Sequence, residues 1–136
     1  MSPDAETQMR AALGTFFEAW NAGDLEAVRS ALNYPHITLG PAGQVIVAQT
    51  RDDFRTDFEH MRQVEGWHRS TVDSCTITAS APTKVHCEVT FSRYKVDGSV
   101  YGSGSVFYVF TDHGGHWGMQ FRSGMPDPAL LSAARR

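Results

Sequence analysis

The segment from Phe16 to Val28 constrains the fold of this chain more than any other part of the sequence. Apolar residues recur at helical spacing up to Trp20, and Gly23 then supplies the left-handed backbone that ends a helix. Asp24 follows at once, and an aspartate in this position caps a new helix by accepting backbone N–H bonds. The sequence therefore predicts two helices that are joined by a tight Gly-Asp corner near the N-terminus.

Shorter elements are expected directly after the second helix. Pro35 should stop that helix, and two short strands over 36–39 and 44–48 follow it. Thr50 and Asp53 then have the spacing of a capping box, in which each side chain bonds the backbone of the other. This spacing predicts a third helix that begins near Thr50.

The third helix is expected to bury Phe54, Phe58 and Met61 and to end at Gly66. Beyond this point the chain alternates in the manner of strands and is interrupted by good turn residues. The strands are expected over 67–79, 83–96, 99–112 and 116–122. A run of helices followed by a run of strands predicts an α+β domain.

The bulk properties fit one domain with a single core. The chain has 136 residues, of which 41% are hydrophobic, and we expect one domain over 1–124 and a C-terminal tail over 125–136. The net charge of -3 and the scattered lysines and arginines argue against nucleic-acid binding, and the apolar runs are too short to span a membrane. Because no signal peptide is visible and two cysteines make no disulfide framework, we expect a cytoplasmic location.

The helix, Gly-Asp corner, short helix and strand resemble the opening of the nuclear transport factor 2-like superfamily, which includes SnoaL-like and steroid-isomerase-like proteins. The resemblance implies a cystatin-like α+β cone, in which three N-terminal helices pack on the concave face of a curved, mainly antiparallel sheet. Because these cones host unrelated chemistries, a function has to be argued from the residues of the pocket.

The first long hairpin can be given a register. If residues 80–82 form a three-residue loop, Asp73 faces Val89 and Arg69 faces Arg93 on the more apolar face, which should pack on the helices. A carboxylate among apolar groups pairs with an arginine or has a raised pKa, and both states suit acid–base catalysis. A single β-bulge would exchange the two faces and leave Asp73 as a surface or structural residue.

His36 is the second candidate for a catalytic residue. The superfamily resemblance implies that the strand after Pro35 projects side chains into the cavity, and a neutral imidazole suits proton transfer near pH 7. The alternative is a histidine that bonds a neighbouring backbone group. Tyr34 beside it is either a ligand contact or ordinary packing.

An apolar hollow with a few polar groups should bind a small apolar or partly apolar molecule. Most of its aromatic residues are expected to be plain core as well. The expected ligand-binding residues are Trp20, Tyr34, Phe54, Phe58, Trp67, Arg69, Phe91, Arg93, Trp117 and Met119. The Gly102-Ser103-Gly104 segment lacks the third glycine of a dinucleotide loop, and no metal-type spacing occurs, so we expect neither a cofactor nor a metal.

Two classes of function stay open. One is a lyase, isomerase or cyclase that needs no cofactor and uses His36 or Asp73 for acid–base catalysis. The other is a binding or dimerisation module without turnover. Within the resemblance, the reactive positions of the steroid-isomerase branch fall on Phe16, on Gly40 and near Val106, and none of these residues can carry out that chemistry.

The strand around Phe107 and Val109 is apolar on both faces, so its outer face needs a cover of its own. A homodimer through the convex face of the sheet is therefore expected, and superfamily habit agrees with it.

Overall fold

The computed structural model of the protein describes residues 4–126. The helices are α1 (Ala5–Asn21), α2 (Leu25–Ser30) and α3 (Phe58–His60), and α3 continues as a π-helical segment over Met61–Glu65. The strands are β1 (Leu32–Leu39), β2 (Val45–Ala48), β3 (Arg69–Ala81), β4 (Lys84–Tyr94), β5 (Val100–His113) and β6 (His116–Pro126). The last strand passes the expected domain boundary at 124, and most of the expected tail lies outside the described residues.

The six strands form one sheet in the order β2-β1-β6-β5-β4-β3. All neighbouring strands are antiparallel except β1 and β6, which run parallel. Helix α1 lies across one face, which we call the inner face, and contacts β3, β4, β5 and β6. The architecture is therefore α+β, as expected, and over the described part of the chain no helix is long and apolar enough to cross a membrane.

The Gly-Asp corner forms as the sequence predicts. Gly23 has a φ of 64°, and the Asp24 carboxylate accepts the backbone N–H of Ala27 at 3.1 Å. Asn21, at the end of α1, then fixes the helix to the sheet, because its side-chain amide exchanges two hydrogen bonds with the backbone of Ser70, at 2.8 and 2.9 Å. These bonds hold the C-terminal end of α1 over the beginning of β3.

The third helix is much shorter than expected. Asp53 accepts the backbone N–H of Thr50 at 3.1 Å, but the capping box closes only a 3-10 turn, and the chain is extended at Phe54. The buried Arg29 donates to the carbonyl of Phe54 at 2.8 and 3.1 Å, and therefore occupies the acceptor that a continuing helix would use. The helix begins only at Phe58.

Strand β1 begins at Leu32, four residues before the expected start, and includes Pro35. Pairing with β6 is interrupted between Leu32 and Ile37, and pairing with β2 begins only at His36. The missing N–H of Pro35 therefore interrupts no ladder bond, which is why the proline is tolerated inside the strand.

Two β-bulges in β3 overturn the predicted register of the first hairpin. Ala81 pairs with Lys84, so the expected loop over 80–82 is wrong, and Asp73 is an extra residue between two pairs of the ladder. The bulge at Asp73 exchanges the faces of the strand, so that Val72 rather than Asp73 packs inward. Asp73 is exposed, and Arg69 lies on the outer face, where its guanidinium carbon is 3.9 Å from the ring centre of Tyr94.

We expect Gly118→Ala to lower the free energy of unfolding by about 1–3 kcal/mol. A Cβ at Gly118 would come within 2.9 Å of the Asn33 side chain and of the Leu32 carbonyl carbon, where β6 closely approaches β1. Gly14→Ala in α1 is the control, because nothing lies within 4 Å of its Cβ, and it should add about 0.5–1 kcal/mol. Urea denaturation measures both, and equal effects would contradict the close approach.

Candidate functional site

A cavity of about 380 Å³ lies between α1 and the inner face of the sheet. Helix α1 supplies Phe16, Phe17 and Trp20 to its wall, and the ends of β1 and of the π-helical segment complete it. The wall is mostly apolar, as is usual for a small-molecule site. The side chains with polar groups on it are Thr38, Thr56, Glu65, Ser70, Arg93, Tyr108 and Arg122.

Three of the residues expected to contact a ligand lie on this wall, namely Trp20, Phe91 and Arg93. Other aromatic residues form a packing layer behind it. Phe58 makes an edge contact with Trp20, with ring centres 5.0 Å apart, and stacks on Trp67 at 5.8 Å. This second layer holds the Trp20 ring in place and does not reach the cavity.

The other expected contacts are likewise absent from the wall. Phe54 and Met119 are buried in the core, and Trp117 packs against it. The hydroxyl of Tyr34 donates to the carbonyl of Arg29 at 2.7 Å.

Asp73 does not enter the cavity and is held at the surface by two hydroxyl groups. Thr71 donates to its carboxylate at 2.8 Å, and Ser92 donates to the other carboxylate oxygen. The prediction of a carboxylate in the apolar interior is wrong, because it depended on a register without bulges. The prediction that Arg69 contacts a ligand in the interior is wrong for the same reason.

His36 is almost fully buried, but it lies behind the wall and not on it. Its Nδ1 is 3.0 Å from the carbonyl of Met119, which can only accept, so Nδ1 carries the proton and Nε2 is a bare acceptor. Among the described residues Nε2 has no partner. Burial, and secondly the charge of Arg122, lower the pKa of His36 to about 4, so the ring is neutral at neutral pH.

Glu65 is the one carboxylate among the described residues of the wall, and it is already engaged. Its Oε1 accepts from Arg93 at 2.7 Å and from the hydroxyl of Tyr101 at 2.8 Å. The Glu65 side chain is only 6% exposed. The pair is therefore a well-shielded salt bridge, and its positive and negative charges cancel.

Arg122 supplies a charge that has no such counterpart. Its Nε donates to the hydroxyl of Thr38 at 3.2 Å, and its guanidinium carbon lies 5.7 and 5.6 Å from the ring centres of Trp20 and Phe54. No carboxylate in residues 4–126 lies within ion-pair distance of it. Burial lowers the pKa of Arg122, but arginine remains charged at neutral pH.

Sequence reasoning missed Arg122 because of another bulge. Met119 pairs with Phe110, but Phe121 pairs with Val109, so Gln120 is an extra residue in β6. Strict alternation from the buried Met119 would point Phe121 inward, whereas the bulge turns Arg122 inward instead. No local pattern in the sequence signals this direction, because it depends on how β6 pairs with β5.

The positions assigned by the steroid-isomerase resemblance all lie on the wall of this cavity. Phe16, Gly40 and Val106 line it together with Tyr108, the pKa of which is raised by burial. At these three positions the wall therefore carries none of the reactive side chains that the resemblance would require. Within the described residues, no group of three or more His, Cys, Asp or Glu side chains could hold a metal ion.

A family model described as NTF2-like protein (DUF6841) matches residues 5–120 of the chain. No curated protein matches the chain. Among solved structures, a protein with a cystatin-like fold from Nostoc punctiforme is 16% identical, with a TM-score of 0.73 over 94% of this chain and 96% of that one.

Two further solved structures are similar over nearly their whole length. An NTF2-like protein from Cytophaga hutchinsonii is 11% identical, with a TM-score of 0.68 over 92% of this chain and 100% of that one. A protein from Catenulispora acidiphila in complex with S-DNPA is 13% identical, with a TM-score of 0.68 over 93% and 96% of the two chains. At these identities the likeness shows the fold alone.

The neutral, buried His36 predicts a specific pH dependence of stability. The unfolded chain takes up a proton near pH 6.5, whereas folded His36 does so only near pH 4. The free energy of unfolding should therefore be unaffected by His36 above pH 6.5 and fall below it, by roughly 3 kcal/mol at pH 4. Urea denaturation from pH 4 to 8 should show this loss in the wild type but not in His36→Leu, and equal slopes would contradict the assignment.

Proposed function

We propose that this chain, which belongs to the NTF2-like protein family DUF6841, binds a small and largely apolar organic molecule that carries an acidic group. The observation that carries the proposal is Arg122, a cation in an apolar cavity without a carboxylate partner among the described residues. A charge that is removed from water and left unpaired destabilises a protein. An anionic ligand would supply the missing partner.

The donor geometry supports the same proposal. A guanidinium has five N–H donors, and within the described residues Arg122 uses only the Nε donor, towards Thr38. Four donors are therefore left for a ligand, in the fork that suits a carboxylate. The rings of Trp20 and Phe16 on the same wall would contact the apolar part of the molecule. The volume of about 380 Å³ suits a molecule of one or two rings.

Binding is better supported than acid–base turnover. A lyase, isomerase or cyclase needs a base that touches its substrate, and the candidates His36 and Asp73 lie off the cavity wall. Glu65 reaches the wall, but its carboxylate is committed to Arg93 and Tyr101. Arg122 beside Tyr108 could stabilise an enolate, but the proton acceptor for that chemistry is missing from the described wall.

A homodimer through the outer face of the sheet is the second part of the proposal. Phe107 makes edge contacts with Phe121 and with His86, at 6.2 and 5.5 Å between ring centres, and all three rings keep part of their surface exposed. An aromatic cluster of this kind on a sheet face is a typical interface core.

Both cysteines are free, which supports a reducing cytoplasmic location.

The anion site is tested by Arg122→Met, with 2-naphthoate as the probe in isothermal titration calorimetry. We expect the variant to bind at least about tenfold more weakly, because a charge-assisted hydrogen bond is lost. The same variant should be more stable to urea by about 1 kcal/mol, because it removes an unpaired charge that is largely shielded from water. If Arg122 served only to stabilise the fold, Arg122→Met would instead be less stable than the wild type.

The matched control for this experiment is Arg69→Met, which removes an arginine from the outer face. It should leave naphthoate binding unchanged. Equal binding by the wild type and Arg122→Met would contradict the proposed site.

The dimer is tested by Phe107→Glu in analytical ultracentrifugation. We expect a dimeric wild type and a monomeric variant, because a carboxylate would be buried at the centre of the interface. Val96→Glu, at a position that is 79% exposed in the hairpin between β4 and β5, is the control and should remain dimeric. A wild type that sediments only as a monomer would refute the dimer.

A further inference from the structure

We infer that Glu65 sets the charge preference of the cavity, so that it accepts an organic molecule with one negative charge and rejects one with two. The inference rests on the proposed function, since it concerns the same cavity and the same kind of ligand. It adds a selection rule that follows from the arrangement of Glu65, Arg93 and Arg122.

The position of Glu65 is fixed by its backbone and by two donors. It ends the π-helical segment directly before Gly66, whose φ of 75° turns the chain towards β3. Arg93 from β4 and Tyr101 from β5 both donate to its Oε1. The carboxylate is thus anchored to two strands and one helical segment, and cannot leave the wall without breaking both bonds.

The charges on the wall can be counted from these contacts. Arg93 and Glu65 cancel, which leaves Arg122 as the single uncompensated charge on the described wall. One anionic group would neutralise it. A second anionic group would find the charge of Arg93 already balanced by Glu65, and it would be repelled by the negative charge of Glu65 in surroundings of low dielectric constant.

Unfavourable contacts with the wrong ligand, such as repulsion between like charges, are a recognised source of specificity. If Glu65 were neutral, the charge of Arg93 would be available to a second anionic group. Arg93 and Arg122 together would then give the wall a net charge of +2. Glutamine keeps the size of the side chain and an oxygen that can accept from Tyr101, but it loses the charge. Glu65→Gln should therefore convert the cavity from a preference for monoanions to a preference for dianions.

The experiment compares benzoate with phthalate, isophthalate and terephthalate, whose carboxylates span three different separations. Calorimetry would measure each probe against the wild type, Glu65→Gln and the control Glu59→Gln. Glu59 lies in α3, directly before the π-helical segment, and pairs with Arg62 outside the cavity. Near-ultraviolet circular dichroism would verify that each variant retains its tertiary packing.

We expect the wild type and Glu59→Gln to bind benzoate at least tenfold more tightly than any of the dicarboxylates. In Glu65→Gln, the best-fitting dicarboxylate should bind more tightly than benzoate, so that the ratio of dicarboxylate to benzoate affinity rises by more than tenfold. The double variant Glu65→Gln/Arg93→Gln should again prefer benzoate, because it restores a single charge. If Glu65→Gln alone does not fold, Arg93→Gln tests the inference instead, because it leaves the charge of Glu65 uncompensated on the wall and should weaken benzoate binding at least tenfold.

The outcomes separate the two proposals. If the wild type binds benzoate but the ratio is the same in Glu65→Gln, the charge preference is refuted and the proposed function stands. The same conclusion follows if the wild type binds a dicarboxylate as tightly as benzoate. If the wild type binds none of the probes, both the proposed function and the inference are overturned.

Discussion

The guanidinium of Arg122 lies near the rings of Trp20 and Phe54 and donates one hydrogen bond to Thr38. Contacts between a cation and aromatic faces offset part of the cost of removing the charge from water, but they leave most of the donors unused. The same charge helps to keep His36 neutral behind the wall. The described wall of the cavity therefore carries one uncompensated positive charge, which under the proposed function would pair with the acidic group of a ligand.

The position of this charge depends on where the strands are irregular. The bulge at Gln120 turns Arg122 inward, and the bulge at Asp73 turns an expected active-site carboxylate outward. Both changes follow from the period of two in a strand, since one extra residue exchanges the faces of everything beyond it. The chemistry of the cavity is thus determined by two single-residue insertions in the ladder and by no motif in the sequence.

The same irregularities mark the limit of prediction from the sequence. The Gly23-Asp24 corner and the helix end at Gly66 could be predicted, because each depends on local backbone chemistry. Trp20 and Arg93 reach the wall as expected, since they lie on elements without an intervening bulge. The inward direction of Arg122 could not be predicted, because it depends on how β6 pairs with β5 and β1. The predicted length of the third helix was wrong because an arginine that is distant in the sequence binds the Phe54 carbonyl.

The most direct test of this account is a crystal structure of the protein grown with 2-naphthoate. We predict that the naphthyl rings occupy the cavity against Phe16 and Trp20, with a carboxylate oxygen about 3 Å from a terminal nitrogen of Arg122. A naphthoate bound in the cavity with its carboxylate directed away from Arg122, or one bound only on the outer surface, would contradict the account.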